Sequence, residues 1–409
     1  MIEHMLSQVT SSTYAAPVRR AGKEMASPEL AEMNNHSLIE ITEAGDAEEA
    51  RRVSFDLAKQ AAFDDSVAER AALIASEAAA NILRYAGGGQ MMARVIGKTE
   101  PVVEIIALDS GPGIAHLSAA MRDGYSTSGA AGMGLHTISR ASNLFDIYSR
   151  PGQGTALLAQ VWARSLRYYA TTHDYASLRV KSGAVSTAKP EAKGSGEWGE
   201  TERQRGGGPI NAPSLRPSVP PSLPTPHSPA GARAPSDAWA VKHQPSRSLI
   251  MVANGLGQGA EAAGAAASAV RVMDEVHALS PAEILEIVHE RLSDTRGASV
   301  AVAEIRLLDG ARAIRFAGVG NISARVVSDG KAHHLVSLNG IAGYEAEIRE
   351  FAYPWPANSA LVMHTDGLLA RWNAEDYPGL LASHPALIAA VLHRDFKSGL
   401  DDATVVVAK

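Results

Sequence analysis

The sequence has 409 residues, of which 45% are hydrophobic and 20% charged, with a formal net charge of -6 and no cysteine. This length suits two domains and a linker, and the lack of cysteine excludes disulfides, zinc–thiolate sites and thiol nucleophiles. Without a block of Lys and Arg we expect no nucleic acid partner, and no apolar run is long enough to span a membrane. The first 25 residues lack the apolar core of a signal peptide, so we expect a cytoplasmic protein.

The first elements of a fold are predicted after a polar N-terminal segment. Residues 1–36 show no sustained periodicity, and we expect a flexible tail there. A strand pattern begins at Ser37. Asp46 and Glu49 have the spacing of an N-terminal capping pair, which predicts a helix that extends to Phe63.

A second helix is predicted over residues 66–85 by an apolar stripe at helical spacing. Glu77 and Asn81 are four residues apart and therefore lie on one face of this helix. An amide oxygen can ligate Mg²⁺, and a carboxylate can orient or deprotonate an attacking hydroxyl, so the pair suits phosphoryl transfer. The polar edge of an ordinary helix would also contain such a pair.

An apolar strand over residues 102–108 ends at Asp109, which opens the sequence DSGPGI. A carboxylate at a strand end can accept a hydrogen bond from the exocyclic amine of adenine. Gly111 and Gly113 allow the backbone to approach a planar ligand closely. A polar turn is the alternative interpretation of these residues.

A loop of small residues, DGYSTSGAAGMGL, follows and leads into the next predicted helix. It contains Gly132 and Gly134, and its amides together with the helix N-terminus can bind phosphate groups. Beyond a predicted hairpin turn, Thr155 offers a hydroxyl contact on the last strand of this region.

The order of these motifs, Glu-x-x-x-Asn, Asp-x-Gly-x-Gly, Gly-x-Gly and Gly-Thr, resembles the Bergerat ATP-binding fold of GHKL proteins. No Walker motif GxxxxGK[ST] occurs in the sequence, which excludes a P-loop. The small-residue loop and the segment FDIYSRPGQGT resemble the RsbT-like branch, whose members are switch kinases that phosphorylate serine on STAS-domain partners in stress signalling.

The resemblance covers residues 37–165 and implies a two-layer α/β sandwich that binds ATP with Mg²⁺. It implies these roles: catalytic base, Glu77; magnesium ligand, Asn81; adenine anchor, Asp109; lid glycines, Gly132 and Gly134. The glycines Gly111 and Gly113 and the hydroxyl of Thr155 complete the predicted nucleotide site.

The composition changes after this region. Between residues 189 and 235 proline, glycine and serine dominate, which is typical of a disordered linker or insertion. We therefore treat residues 166–235 as a linker and place a second domain at 236–409. A strand pattern near residues 178–186 is assigned to the second domain.

An apolar strand in the second half ends in the sequence NGLGQG, which begins at Asn254 and precedes an alanine-rich helix. The spacing of Gly255, Gly257 and Ala260 also fits a dinucleotide-binding fingerprint. That fingerprint requires a second parallel strand ending in an acidic residue, and the segments that follow are helical through Leu292. A dinucleotide site is therefore the weaker interpretation.

Acidic residues stand at other predicted strand ends of this half, namely Asp237, Asp366 and Asp401. Each can be an ordinary residue of a turn, but together they supply the oxygen ligands that Mg²⁺ or Mn²⁺ prefers. The motifs DAW, NGLGQG, RGA, GVGN, HTDG and DDAT resemble the SpoIIE branch of PPM phosphatases, and especially its RsbX-like members.

This second resemblance implies an α-β-β-α sandwich. It further implies a centre of Mg²⁺ or Mn²⁺ ions held by Asp237, Asp366, Asp401 and the carbonyl of Gly255. The chain departs from the family at Asn254, where the family has an aspartate that bridges two metal ions. An amide is neutral and bridges poorly, so we expect phosphatase activity to be impaired and the fold to be unaffected.

The sequence thus predicts a Bergerat ATP-binding sandwich followed by a PPM-type sandwich, in a bifunctional regulator of bacterial stress signalling. We expect it to phosphorylate Ser or Thr of a STAS-domain anti-sigma antagonist or stressosome-type protein and to remove phosphate from phosphoserine. A sigma factor is a second candidate partner. Two alternatives are an active kinase whose degenerate phosphatase domain serves as a binding module, and a non-catalytic ATP-binding anti-sigma factor.

Overall fold

The computed structural model describes residues 36–97, 101–121, 134–162, 182–187, 235–244, 247–308, 311–328, 330–399 and 401–409. Except for residue 36, the predicted N-terminal tail lies outside these ranges. So does the predicted linker, except for residues 182–187 and 235. The domain boundaries given above remain predictions.

The first sheet has five antiparallel strands in the order β1-β2-β3-β5-β4. The strands are β1 His36–Ile41, β2 Gly89–Ile96, β3 Val102–Asp109, β4 Leu144–Ser149 and β5 Thr155–Trp162. Side chains alternate between the two faces of a strand. In β3, Val103, Ile105 and Ala107 lie in one core, whereas Ile106 and Leu108 lie in another, so both faces of this sheet are buried.

Helices cover one face of the first sheet and form the first core with it. The helices of this region are α1 Ala44–Gln60, α2 Asp65–Asn81, the short α3 Leu117–Ala120 and α4 Gly134–Ala141. A π-helical turn, Ile82–Ala86, continues α2 directly. Many buried residues of α2 are alanines, which favour helix formation and let the helix lie close to the sheet.

The predicted capping pair of α1 was wrong by one turn. The capping box joins Glu43 to Asp46, and Asp46 accepts hydrogen bonds from the main-chain nitrogens of Thr42 and Glu43. The helix therefore begins three residues before the start that the Asp46–Glu49 spacing implied, and it ends at Gln60 instead of Phe63.

Two further sheets, each with five antiparallel strands, form the second half of the described chain. The second sheet has the order β15-β10-β9-β8-β7, with β7 Asp237–Gln244, β8 Arg247–Gly255, β9 Ala298–Leu308, β10 Ala311–Val319 and β15 Phe351–Pro354. The third has the order β12-β11-β16-β17-β6, with β6 Ser182–Thr187, β11 Ser323–Ser328, β12 Lys331–His334, β16 Ala360–His364 and β17 Ala403–Ala408. A two-residue pair, β13 Gly340–Ile341 and β14 Glu345–Ala346, stands apart.

The second and third sheets pack face to face around one core, to which Val252, Phe316 and Met363 belong. Helices α5 Ala260–Glu275 and α6 Pro281–Arg291 pack on the second sheet, and α7 Pro385–Phe396 packs on the third. The second half is therefore an α-β-β-α sandwich. The predicted fold class is confirmed.

Helix α7 also covers the second face of the first sheet. Residues of α7 share one core cluster with the sheet residues Met92, Ile106, Leu108, Ala156 and Leu158. The two halves therefore have a continuous apolar interface, with α7 packed between the first and third sheets. Within the described ranges, no helix has the length and apolar character needed to cross a membrane.

A buried polar group lies beside this apolar interface. Arg94 donates to Glu104 Oε1 from Nε at 2.9 Å, and Gln160 Nε2 donates to Glu104 Oε2 at 2.7 Å. The guanidinium carbon of Arg94 is 5.9 Å from the ring centroid of Trp239 on β7. Because its buried charges are paired with each other, this group does not leave an isolated charge between the halves.

Candidate functional site

A cavity of about 380 Å³ lies between α2, β3, β5 and the loop that follows β3. This volume is within the range of small-molecule sites. Its lining is mostly apolar and includes Ala78, Ile82, Ala107, Ile114, Leu135 and Leu157. Three of the predicted site residues contribute polar side chains to it, namely Asn81, Asp109 and Thr155.

Asn81 is the last residue of α2, where the helix passes into the π-helical turn. Such turns occur frequently at functional sites. The Nδ2 atom of Asn81 is buried and has no hydrogen-bond partner among the described residues. A Cβ atom on Gly134 would lie only 2.8 Å from Asn81 Oδ1, so a larger residue where α4 begins would displace this amide from its position.

Asp109 is the last residue of β3 and is held from two sides. Its Oδ1 accepts from the main-chain nitrogens of Gly111 at 2.9 Å and Thr155 at 3.1 Å. Both bonds use the same oxygen, which leaves Oδ2 as the acceptor for a ligand amine. Burial raises the pKa of Asp109, whereas the two backbone hydrogen bonds and the charge of Arg394 act in the opposite direction.

The loop after β3 is joined to the turn between β4 and β5. Gly154 N donates to the carbonyl of Gly111 at 2.9 Å, and Gly152 N donates to that of Pro112 at 2.8 Å. Gly113 has a φ of +68°, and a Cβ there would lie 2.0 Å from the carbonyl oxygen of Arg150. Glycine is therefore required at this position, and the paired loops hold Asp109 and Thr155 at the cavity wall.

The other residues predicted for this site have different positions. Glu77 lies one turn before Asn81 on α2, is half-buried and is not part of the cavity lining. Gly113 and Gly134 line the cavity, whereas Gly111 lies behind it and contributes its main-chain nitrogen to Asp109. Gly132 lies outside the described residues.

These residues fit a nucleotide. A mostly apolar cavity suits a base, and Asp109 offers a carboxylate oxygen at its wall. A buried polar atom without a partner costs about 1–3 kcal/mol, and Asn81 Nδ2 has none in the described part of the chain, so a ligand that accepts from it would stabilise the site. An amide can present its oxygen to a metal ion or its NH₂ group to phosphate oxygens.

A second group of polar residues lies where strands of the α-β-β-α sandwich end. Asp237 begins β7 and is the cross-strand partner of Asn254 near the end of β8. Asp366 follows β16, and Asp401 precedes β17. The structure brings Asp366 close to Asn254 and Asp401. Asp366 accepts a hydrogen bond from Asn254. Partial burial is the larger cause that raises the pKa of Asp366, and the negative charge of Asp401 raises it further.

Two carboxamides donate to the carboxylate of Asp366. Asn254 Nδ2 donates to Oδ1 at 2.9 Å, and Asn321 Nδ2 donates to Oδ2 at 2.5 Å. Each oxygen of Asp366 is thus bonded to an NH₂ group, and an NH₂ group cannot ligate a cation. Asn321 belongs to the motif GVGN, from which no role was predicted for it, and its contact with Asp366 is visible only in the structure.

Asp237 is buried, with 1% of its surface exposed. Its Oδ2 accepts from the hydroxyl of Thr365 at 2.7 Å, whereas its Oδ1 has no hydrogen-bond partner within the described ranges. Burial raises the pKa of Asp237 to about 7.

The remaining predicted ligands lie at the edge of this group. Asp401 Oδ1 accepts from the main-chain nitrogen of Asp402 at 2.9 Å. Asp402 in turn accepts from the hydroxyl of Ser236 at 2.6 Å. Gly255 N donates to the carbonyl of Ser236 at 2.8 Å, which ties the predicted carbonyl ligand to the start of β7.

The residues present do not fit a two-metal centre in this arrangement. No set of three or more His, Asp or Glu side chains that could hold a metal ion occurs in the described part of the chain. The position that requires a bridging carboxylate is an amide, and that amide is bonded to the neighbouring ligand Asp366. The roles predicted for Asp237, Asn254, Gly255, Asp366 and Asp401 as metal ligands therefore remain predictions.

One functional contact had no signal in the sequence. Arg394 on α7 donates from Nη1 to the main-chain carbonyl of Asp109 at 2.9 Å, although 285 positions separate the two residues. An arginine near the end of an amphipathic helix is ordinarily a surface residue, so neither its type nor its spacing indicates a role at the nucleotide cavity.

Comparisons with known proteins agree with both halves of this description. The family model described as Histidine kinase-like ATPase domain matches residues 42–161, and the model described as Stage II sporulation protein E (SpoIIE) matches residues 244–409. The Serine/threonine-protein kinase RsbT of Bacillus subtilis (strain 168) is 37% identical over 133 residues, which are 32% of this chain and 100% of that protein.

Two solved structures with similarity to the chain have TM-scores below 0.5. A structure of RsbX in complex with magnesium has a TM-score of 0.37 and 20% identity, over 44% of this chain and 89% of that one. The phosphatase domain of SpoIIE from Bacillus subtilis, with a fragment of its regulatory domain, has a TM-score of 0.41 and 14% identity, over 78% and 81% of the two chains.

The family matches confirm both resemblances drawn from the motifs. The matches also confirm the prediction of an enzyme. The relative RsbT is a protein serine/threonine kinase, and the SpoIIE model indicates a PPM-type serine phosphatase domain. These families imply the use of ATP and of a divalent metal ion.

Proposed function

The chain belongs to the family of the serine/threonine-protein kinase RsbT, and on that premise we propose that it transfers the terminal phosphoryl group of ATP to a serine or threonine of a STAS-domain protein. The pairing of this kinase half with a SpoIIE-type domain supports a regulatory role in stress and sigma-factor signalling. The partner is an anti-sigma antagonist or a stressosome-type protein.

The observation that carries this proposal is the buried Nδ2 of Asn81, which has no partner among the described residues, at the wall of a cavity that Asp109 also lines. This NH₂ group would donate to a phosphate oxygen of ATP, and the oxygen of the same amide would hold the magnesium ion that accompanies ATP. Asp109 would accept from the adenine amine. When bound, that ion neutralises charge on the phosphate oxygens. Thr155 and Gly113 complete the wall. For Gly132 and Gly134 the proposed role is that of lid glycines at the phosphates.

Glu77 is proposed as the general base. Four residues separate it from Asn81, so both lie on one face of α2. It lies outside the cavity lining, where a hydroxyl of a partner protein would approach from solvent. In that position its carboxylate accepts the proton of the attacking serine while the nucleotide stays in the cavity.

For the second half we propose dephosphorylation of phosphoserine on the same or a related partner, dependent on Mn²⁺ or Mg²⁺ and slow because of Asn254. A second candidate is a domain that binds a partner without hydrolysing it. The bonds from Asn254 and Asn321 to Asp366 support this second candidate, because they place two NH₂ groups, which cannot ligate a cation, against the carboxylate that a metal ion would need.

The first test measures ATP binding in the presence of Mg²⁺ by the full chain and three variants. Asn81→Ala is expected to abolish magnesium-dependent binding, and Asp109→Asn to weaken binding of the base. Asn373→Ala removes an exposed asparagine of the second half and serves as the matched control. Unchanged affinity in both cavity variants would contradict the proposed site.

The second test incubates the wild-type chain with radiolabelled ATP and candidate STAS proteins. Transfer to a serine or threonine of one of them is expected. If the chain binds ATP and yet labels no cognate STAS protein, the non-catalytic anti-sigma factor becomes the better description. Loss of label after addition of Mn²⁺ would distinguish an active phosphatase domain from a binding module.

A further inference from the structure

The C-terminal helix α7 is a rigid element that both halves of the protein hold in place. Its apolar residues belong to the core cluster shared with the first sheet. Its C-terminal end is fixed within its own half, where Leu369 N donates to the carbonyl of Phe396 and Ser398 N donates to that of Gly367, both at 2.9 Å. A side chain on α7 is therefore presented to the first sheet in a defined position.

Polar contacts between the halves occur at both ends of this interface. At the start of α7, His384 N donates to Asp146 Oδ2 on β4 at 2.6 Å. Near its end, Arg394 Nη1 donates to the main-chain carbonyl of Asp109 at 2.9 Å. The first contact lies on the edge strand of the sheet, whereas the second reaches the residue that lines the nucleotide cavity.

Arg394 is oriented before it contacts Asp109. Its side chain is only 9% exposed, and its Nε donates to Asp395 Oδ1 at 2.7 Å. The hydroxyl of Tyr377 donates to the other oxygen of Asp395 at 2.9 Å. This chain of contacts fixes the guanidinium group, so the bond to Asp109 requires little additional ordering.

The carbonyl group of Asp109 lies in a confined space. A Cβ on Gly154 would be only 2.0 Å from its oxygen, and Arg394 donates to the same oxygen. The carboxylate of the same residue is held by Gly111 N and Thr155 N. Main chain and side chain of Asp109 are thus restrained together, and Arg394 is a restraint that comes from the other half of the chain.

We infer that Arg394 is a positioning residue of the nucleotide site, through which the SpoIIE-type half fixes the carboxylate that selects adenine. This inference rests on the proposed nucleotide binding at Asp109. It gives the second half a role in the kinase site that does not depend on its own metal chemistry. The charge of Arg394 acts in the same sense, because it lowers the pKa of Asp109 against the effect of burial and so favours the ionised acceptor.

A residue with a merely structural role would alter the stability of the interface and leave the choice of base unchanged. The test therefore compares the affinities of the full chain for ATP and for inosine triphosphate. The latter has a carbonyl oxygen where adenine has its exocyclic amine, so the ratio of the two affinities reports on recognition by Asp109. Thermal unfolding of every variant checks that the fold is retained.

Arg394→Met keeps a long side chain and removes the donor and the charge. We expect it to bind ATP about five- to tenfold more weakly, the size of one ordinary net hydrogen bond, with little change for inosine triphosphate. Arg394→Lys retains a charged donor and is expected to restore most of the ratio. The matched control Asp146→Ala removes the contact at the other end of α7 and should leave the ratio at its wild-type value.

An unchanged ratio in Arg394→Met would overturn the inference, as would an equal fall of the ratio in Asp146→Ala. Failure of the kinase proposal has a different signature, since a wild-type chain that prefers ATP but labels no partner contradicts phosphoryl transfer and leaves the role of Arg394 intact. A wild-type chain without preference for ATP would contradict both.

Discussion

The two candidate sites of this protein are made from similar parts and differ in how their polar atoms are satisfied. In the nucleotide cavity, the amide of Asn81 is buried and its nitrogen has no partner among the described residues. In the acidic group of the second half, the amide of Asn254 donates to Asp366, and Asn321 donates to the other oxygen of the same carboxylate. Each site also keeps one buried polar atom without a partner among the described residues, a donor on Asn81 in the first and an acceptor on Asp237 in the second.

The difference has an energetic meaning. A buried donor without a partner destabilises the fold by about 1–3 kcal/mol, so its presence in a native structure requires an explanation, such as a ligand that supplies the missing bond. At Asp366, a cation would bind beside two NH₂ groups that already donate to the same carboxylate and cannot serve as ligands. The first site therefore offers a donor to a ligand, whereas in the second the unpartnered oxygen of Asp237 lies in the same group as a carboxylate, Asp366, that two amides already contact.

The largest expected effect tests whether the first site also performs chemistry. Glu77→Gln should bind ATP with wild-type affinity and transfer phosphate roughly 10²–10⁴-fold more slowly, the usual contribution of a general base. Single-turnover transfer to a STAS protein and nucleotide titration measure the two quantities separately. Glu69→Gln, an exposed glutamate of the same helix, is the matched control and should retain both. Transfer at the normal rate in Glu77→Gln would assign that residue a structural role.

The next effect tests whether one substitution makes the second site able to bind a ligand, here a metal ion. Asn254→Asp replaces a donor to Asp366 with a second negative charge, so without metal the variant should unfold at a lower temperature than the wild type. Mn²⁺ should reverse this loss and bind at least about 10–100-fold more tightly than to the wild-type chain, because even outer contacts of metal ligands contribute that much. Thermal unfolding with and without Mn²⁺ measures both, together with phosphoserine hydrolysis.

Asn254→Ala is the control for that experiment, since it removes the donor without adding a carboxylate and should give no response to Mn²⁺. Asn254 precedes a glycine and is prone to deamidation, so mass spectrometry must verify the wild-type sample. Robust hydrolysis by verified wild-type protein would show that the site functions without a bridging carboxylate. A folded Asn254→Asp variant that stays inactive would favour the binding module.

The smallest effect concerns pH and the nucleotide cavity alone. Burial raises the pKa of Asp109 above its ordinary value of 3.8, so the carboxylate becomes protonated at a higher pH than an exposed aspartate. ATP affinity should fall about five- to tenfold as the pH falls through that pKa, because a charge-assisted hydrogen bond becomes a neutral one. In Arg394→Met the fall should begin at higher pH, since the guanidinium lowers the pKa of Asp109. Identical profiles for ATP and inosine triphosphate would contradict recognition of the amine by Asp109.

Local patterns in the sequence were sufficient for the outline of both halves. Asp109 and the glycines after it, or Glu77 and Asn81 one turn apart, are close in the chain, so their spacing constrains their geometry. The contacts that distinguish the two sites join residues far apart in sequence, such as Asn321 with Asp366 and Arg394 with Asp109. Such contacts depend on how sheets and helices pack, and no spacing rule encodes them.

The error at the start of α1 has a similar cause on a smaller scale. Asp46 fits a capping pair with Glu49 by spacing, but it also fits one with Glu43. The structure takes the second because Asp46 then accepts from two main-chain nitrogens and from the hydroxyl of Thr42. Spacing identified a capping residue correctly and assigned it the wrong position in the pair.

The place of α7 in the chain has a consequence for biosynthesis. The ribosome completes the first sheet at Trp162 and adds more than 200 further residues before Arg394 emerges. At a synthesis rate of about 5–20 residues per second, the apolar face formed by Met92, Ile106 and Leu158 stays exposed for roughly 10–40 s before α7 can pack on it. During that interval the nascent chain exposes a hydrophobic surface that chaperones can bind. Translation that stops before α7 would leave an ATPase-like fragment with this face exposed and without the hydrogen bond from Arg394 to the carbonyl of Asp109. Correct geometry of the nucleotide site would then depend on synthesis of the chain through α7.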